Sequence, residues 1–239
     1  MKDAEIKLSQ DNQNLINFWD QAFSLSEEDR EELRRSDPES WKEMAPSEKL
    51  FQAAASLGGR KKVLDYGCGN AWAGIIAAKN GCTDVTAVDL APGAVNAAGV
   101  YAALYGVEKQ MNISLVDPDW LKNVPANSYD GIICSNVLDV VPPETAAEIL
   151  RELARISAGG AAVIIGLNFY LSPEAAAQRN MHLADGNRLY VDGVLRLVSR
   201  DDDEWKKEFE HFFTVERLDH FAWPGEEKET RRLFCLRKQ

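Results

Sequence analysis

Apolar and polar positions follow two different rhythms along this chain. Residues 1 to 57 are polar, with their apolar positions spaced as in helices. Ser26 with Asp29 three residues on spells a capping box, and Pro38 after Asp37 reads as a proline at a first helical position. Ser47 caps a helix expected from about Glu48 to Leu57, stopped by Gly58-Gly59. From Val63 the rhythm changes to short apolar runs separated by helical stretches. Strands are expected at Val63–Tyr66, Val85–Asp89, Ile113–Val116, Gly131–Ser135 and Ala162–Leu167. Helices are expected over Ala73–Asn80, from Pro92 to about Tyr105, and over Pro143–Ser157.

The runs Gly131-Ile132-Ile133-Cys134 and Val163-Ile164-Ile165 are apolar at every position, as strands covered on both faces require. The fold class this predicts is α/β, a doubly wound, mostly parallel sheet. Beyond Asn168 the pattern loosens. Ser172-Pro173-Glu174 starts a helix, and Asp201 to Glu204 sets carboxylates at the positive end of another over about 201–212. Val215–Trp223 and Thr230–Leu236 flank Pro224-Gly225 and predict a C-terminal antiparallel hairpin at the sheet's edge. The expected organisation is a helical N-terminal extension or lid over 1–57 and one domain over 58–239, with a substrate-specific insertion at 168–200.

Composition narrows the partners. The 239 residues carry 27 basic and 38 acidic side chains, a net charge of −11, which disfavours nucleic acid because phosphates reward basic faces. The strongly apolar stretch Ala161–Leu167 has the length of a buried strand, not of a membrane span. Met1 to Lys7 has no apolar stretch after its lysines, so no signal sequence is expected there. Cys68, Cys82, Cys134 and Cys235 lie far apart, without metal-ligand spacing, and read as buried thiols of a cytoplasmic protein. His182, His211 and His220 show no such spacing either, and no metal site is expected.

The unusual residues fall at strand ends, where open α/β sheets bind ligands. Asp65-Tyr66-Gly67-Cys68-Gly69-Asn70-Ala71 follows the first strand, and its glycines let backbone approach a ligand closely. Asp89, twenty residues past Gly69, ends the second strand; a carboxylate there can accept ribose hydroxyls or cap the Pro92 helix. Asp117 reads from its position as a surface turn before Pro118, Asp139 as a pocket or a loop residue. Asp130 reads as fixing a turn before the fourth strand. Phe18, Trp19 and Trp41 read as small-lobe core or substrate box. A dinucleotide fingerprint would need a glycine where Trp72 stands, which weakens an NAD(P)-dependent oxidoreductase without removing it.

Asp65-x-Gly67-x-Gly69, Val88-Asp89, Val116-Asp117, Tyr129 to Leu138 and the turn Ser157-Ala158-Gly159-Gly160 together resemble the class I S-adenosylmethionine-dependent methyltransferases, over about residues 60 to 168. The resemblance implies S-adenosylmethionine as cofactor and S-adenosylhomocysteine as product. It places the cofactor's methionine part against Gly67, Cys68 and Gly69, with Asp65 near the amino group. Asp89 would hold the ribose. Asp117 would face the adenine amine, with Leu90, Pro118 and the residues to Leu121 beside the ring. Ser135, Asn136 and Leu138 would line the meeting point of cofactor and acceptor. Ala71 replaces a frequent glycine, and Asp139 stands where many small-molecule members carry histidine, so no catalytic base is assigned.

The Pro-Pro motif of many amino-methylating nucleic-acid enzymes is absent, with Ser135-Asn136-Val137-Leu138 in its place. A small-molecule acceptor is therefore expected, chosen by the flanking segments. Tyr170, Arg179, His182, Arg188 and Tyr190 could make a site for an anionic or aromatic metabolite. A SAM-binding module without transferase activity is the remaining alternative.

Overall fold

A computed structural model describes the backbone of residues 2–239 and side chains from residue 10 onward. The charged start from Met1 to Lys7 therefore lies outside the residues whose side chains are described. The N-terminal segment forms α1 (Lys2–Phe23), α2 (Glu27–Arg35) and α3 (Glu48–Ala55). Ser26 and Asp29 make both reciprocal bonds of the capping box that starts α2. Pro38 opens no α-helix. Asp37 Oδ1 accepts the Glu39 amide at 2.9 Å and draws the chain into a turn, leaving only a 3-10 turn over Ser40–Glu43. Ser47 caps α3 as expected, but the last turn, Ser56–Gly59, tightens to 3-10.

The sheet region runs β1 (Val63–Tyr66), α4 (Trp72–Lys79), β2 (Val85–Asp89), α5 (Pro92–Leu104), β3 (Met111–Leu115), α6 (Trp120–Asn123), β4 (Tyr129–Ser135), α7 (Pro143–Ile156) and β5 (Ser157–Leu167). Next come α8 (Pro173–Gln178), β6 (Leu183–Ala184), β7 (Arg188–Val191), β8 (Val194–Val198), α9 (Asp202–Glu210), β9 (Phe213–Phe221) and β10 (Arg231–Lys238). Seven strands pair in the order β3-β2-β1-β4-β5-β10-β9. β1 pairs parallel with both β2 and β4, and β10 and β9 add the expected antiparallel hairpin beside β5. Asp130 fixes the start of β4, its carboxylate accepting the Lys61 and Lys62 amides at 3.0 and 2.8 Å.

Both faces of the sheet are covered. Leu64, Ile132 and Val163 pack with α7 and with Trp205 and Phe209 of α9; Val63, Ile133 and Ile164 pack with α3 and α4. Cys68, Cys82 and Cys134 are buried thiols, whereas Cys235 is only partly covered. Among the described residues no helix is long and apolar enough to cross a membrane.

A larger departure from expectation lies after β5. The stretch 168–200 contains, besides α8, a separate antiparallel sheet in the order β6-β7-β8. Its hairpin turns on Asp192-Gly193, both with positive φ (52° and 77°), the backbone a two-residue loop needs.

Gly58 sits against the end of α4, where an added Cβ would strike the Asn80 carbonyl, while a Cβ on Gly59 meets nothing within 4 Å. Gly58→Ala should therefore cost about 1–3 kcal/mol in urea unfolding, and Gly59→Ala within about 0.5 kcal/mol of nothing. Equal stability of the two variants would contradict this packing.

Candidate functional site

The strand order reverses between β1 and β4, so the turns leaving those strands diverge and open a crevice at the sheet's carboxyl edge. Gly67 and Gly69 take left-handed φ of 66° and 54° in the turn after β1. A Cβ on Gly67 would collide with the Val137 side chain, so glycine lets the turn after β4 close against the turn after β1. Four hydrogen bonds set the turn. Gly67 N and Cys68 N donate to Val88 O at 2.9 and 3.0 Å. Asp89 Oδ2 accepts Gly69 N at 3.0 Å, and Asp89 Oδ1 accepts Ala91 N at 2.9 Å.

Asp65 lies behind this turn, buried, with Oδ2 accepting the Gly74 amide of α4 at 2.8 Å. Burial pushes its carboxyl up to about 7, against the pull of that bond and with a further push from Asp89. The Asp89 carboxyl is also raised by burial, opposed by the Gly69 and Ala91 amides. Asp89 thus caps the next turn and still lines the crevice.

Helix α1 roofs the crevice. Leu15, Ile16, Trp19 and Phe23 face Gly67, Asp89, Leu90 and the stretch Ser135 to Val137 across a hollow of about 130 Å³. The Phe23 ring rests on Gly69, with an atom 2.6 Å from where a Cβ would stand. An adjoining hollow shares Leu15, Ile16, Gly67, Leu90, Val137 and Val141 and extends to Tyr66, Pro118 and Asp119.

Of the residues singled out above, Gly67, Asp89, Leu90, Ser135 and Asn136 line the first hollow and Pro118 the second. Gly69 lies under Phe23, and Cys68 is buried with Sγ toward Gly69 O. Asp65, behind the turn, lines neither hollow, and two further residues sit elsewhere than expected. Leu138 is core, packed with the α7 side of the sheet: Asn136 takes a left-handed φ of 57°, which turns Val137 into the hollow and Leu138 inward. Asp117 is exposed and lines neither hollow; its carboxylate is spent on the Asp119 amide at 2.9 Å, and Asp119 reaches the second hollow.

Asp139 is neither pocket nor solvated loop. It is fully buried, Oδ2 accepts Asn168 N at 2.6 Å, and burial raises its carboxyl to about 6. Asn168 in turn accepts from Asn136 Nδ2 at 2.9 Å, which holds Asn136 at the crevice wall. The residues Tyr170, Arg179, His182, Arg188 and Tyr190 do not form one site. Arg188 pairs with Glu144 and Asp185, Tyr190 donates to Asp11 at 2.9 Å, and Tyr170 stands in a separate groove beside Asp201 and His220. Trp41 stacks on Phe51 in the small-lobe core, whereas Trp19 lines the hollow. The roof of Leu15, Trp19 and Phe23 was not anticipated as a group, although its four-residue spacing along α1 marks one helix face.

Comparison with known proteins places this crevice in context. A methyltransferase domain family matches residues 63–160. Ribosomal protein L11 methyltransferase of Laribacter hongkongensis is 34% identical over 113 residues, 47% of this chain and 35% of that protein. Ubiquinone biosynthesis O-methyltransferase of Psychrobacter cryohalolentis is 27% identical over 176 residues, 73% of this chain and 62% of that protein. The chain spans about a third of the length of the curated relatives it matches first. Its fold matches Burkholderia thailandensis 1,6-didemethyltoxoflavin-N1-methyltransferase, solved with 1,6-didemethyltoxoflavin and S-adenosylhomocysteine bound. The TM-score there is 0.61 at 18% identity, over 83% of this chain and 80% of that one.

The buried Asp65 carboxyl makes a prediction about pH. Its value in the fold, about 7, lies above its ordinary 3.8. Between those values the folded state holds more protons than the unfolded one, so stability falls as pH rises through the window. Asp139 and Asp89 are shifted in the same direction. Asp65→Asn keeps an acceptor for Gly74 N but cannot ionise. Urea midpoints measured from pH 4 to 7.5 should show the variant gaining on the parent as pH rises, and a constant difference would contradict the assignment.

Proposed function

We propose that this chain, whose residues 63–160 match a methyltransferase domain family, is a class I S-adenosylmethionine-dependent methyltransferase that methylates a small-molecule acceptor in the crevice beneath α1. The observation that carries the proposal is Asp89. Its carboxylate closes the Gly67–Gly69 turn through Gly69 N and at the same time lines the hollow. A ribose diol laid there meets an acceptor already fixed in direction, and charge-assisted bonds of this kind are the strong ones. The residues present fit the cofactor: Asp89 offers its carboxylate to a ribose, and Leu90 and Pro118 offer apolar contact to a flat base.

S-adenosylmethionine, when bound, supplies a sulfonium methyl group that passes to an in-line O, N, S or C nucleophile while the C–S bonding pair returns to sulfur. The chain's own contribution is alignment and exclusion of water. Gly67 lines the hollow where the cofactor's amino-acid part would lie, while Gly69 is covered by the Phe23 ring. Leu15, Trp19 and Phe23 close the roof, and Asn136, held by Asn168, fixes the wall where the acceptor enters. Asp139 is withdrawn behind Asn168 and does not reach the hollow, so it acts on the acceptor only through that wall.

A small, mainly apolar hollow roofed by α1 favours a small acceptor over a protein segment. The likeness to the L11 methyltransferase is confined to 113 residues, whereas that to the ubiquinone-biosynthesis enzyme extends over 176. This extent supports the same choice. An oxidoreductase is disfavoured by Trp72, which opens α4 where a dinucleotide site would carry glycine.

Asp89→Ala should lower S-adenosylmethionine affinity about ten- to a hundred-fold in calorimetry, the loss expected for a charge-assisted bond of about 1.5–3 kcal/mol. Release of S-adenosylhomocysteine in the presence of a small-molecule acceptor should fall with it. A folded variant with unchanged cofactor affinity would overturn the role of Asp89.

A further inference from the structure

We propose that Arg231, outside the crevice, is a positioning residue for the ammonium group of the bound cofactor. It fixes the direction of a hydrogen-bond chain through Asn168 and Asn136, and that direction leaves Ser135 able only to accept. The proposal rests on the methyltransferase reading of the crevice. Arg231 opens β10 and lines neither hollow. Its side chain is 8% exposed and held on three sides. Nε and Nη2 donate to the Glu226 carboxylate at 2.9 and 2.7 Å, and the guanidinium lies 3.5 Å from the Trp223 ring centre. Nη1 donates to Asn168 Oδ1 at 2.5 Å.

Asn168 is held at its backbone from both sides. Asp139 Oδ2 accepts its amide at 2.6 Å, and Arg232 Nε donates to its carbonyl at 2.8 Å. Those bonds place the residue but leave its side-chain amide free to face either way. Arg231 decides the matter, because a guanidinium has no acceptor and Asn168 must turn oxygen towards it. The same oxygen calls for a donor from Asn136, whose Nδ2 supplies it at 2.9 Å. Asn136 Oδ1 is thereby turned to Ser135 and accepts its hydroxyl at 3.1 Å.

A serine hydroxyl has one proton, and here it is committed to Asn136. Ser135 lines the hollow, and what its oxygen has left for a ligand is lone pairs. Gly166, its partner on β5, makes room for that oxygen, since a Cβ there would strike it. Val137 packs on Gly67, so this turn borders the place where the cofactor's amino-acid part would lie. An ammonium there needs an acceptor, and Asp65, buried behind the turn on Gly74 N, does not line the hollow. The ordered hydroxyl of Ser135 supplies one.

The test is calorimetry on the full chain with a matched pair, S-adenosylhomocysteine and the same compound lacking its amino group. The parent should bind the amine about tenfold tighter or more, as expected for a charge-assisted bond. Ser135→Ala and Arg231→Met should each bring that ratio close to one, and the double variant should lower it no further. Asn168→Asp, whose carboxylate only accepts, should restore the ratio in the Arg231→Met chain, a rescue that a merely structural role for Arg231 would not allow. Should Arg231→Met not fold, Asn168→Ala removes the amide it acts through and should collapse the ratio in its place. A parent without preference for the amine, a ratio that survives any of these single losses, equal weakening of both ligands by Arg231→Met, or no rescue by Asn168→Asp would each overturn the proposal. Failure of the parent chain to bind S-adenosylhomocysteine would overturn the methyltransferase reading instead.

Discussion

The carboxylate of Asp89 joins two turns that would otherwise be independent. One oxygen holds Gly69 N, in the loop leaving β1, and the other holds Ala91 N, in the loop leaving β2. That bridge is possible because β1 and β2 are parallel neighbours, so both chains emerge at the same edge of the sheet. It also depends on two left-handed glycines, since a Cβ at Gly67 would drive Val137 away and a Cβ at Gly69 would drive out Phe23. The cost of placing a carboxylate in this partly buried position is visible in its raised pKa, and the two amides offset it. The crevice, its roof and the carboxylate that lines it all follow from this one junction.

The roof comes from the far end of the chain's order. Helix α1 is fastened to the sheet domain at several separate points. Asp20 Oδ1 accepts the Gly93 amide at 2.6 Å at the start of α5, and Asp11 accepts the Tyr190 hydroxyl at 2.9 Å from the small sheet. Arg196 stacks on Phe18 between those points. The N-terminal segment and the 168–200 stretch therefore meet each other over the crevice. On the proposed reading, cofactor contacts would come from the common sheet and the surfaces that tell one acceptor from another from these two additions.

How much was legible in the sequence follows from how local each signal is. The strands β1, β2, β4 and β5 announce themselves as apolar runs, because burial on both faces leaves no polar alternation to confuse. Gly67, Gly69 and Asp89 could be placed in the turns at the strand ends because their positions depend on backbone geometry, which short motifs encode, whereas Asp65 lies behind the turn on Gly74 N. Val137 and Leu138 were exchanged by a left-handed residue at Asn136, a conformation that nothing in the local pattern announces. Asp117 lost its expected place to an Asx turn that the following Pro118-Asp119 permits. The small sheet went unread because its strands are short and only partly buried, although Asp192-Gly193 between two valines carried a hairpin signal. The α1 face of Leu15, Trp19 and Phe23 was visible as a stripe, but a stripe does not say whether it meets core or cofactor.

The central claim is that the junction of Asp89 with the glycine turn is built for an adenosyl sulfonium and not for a nicotinamide dinucleotide. Thermal unfolding of the intact chain with S-adenosylmethionine, S-adenosylhomocysteine, NAD or NADP tests it most directly, because a ligand that binds only the folded state raises the midpoint. The account predicts a concentration-dependent rise with both S-adenosyl compounds and none with either dinucleotide. Stabilisation by a dinucleotide alone would contradict it.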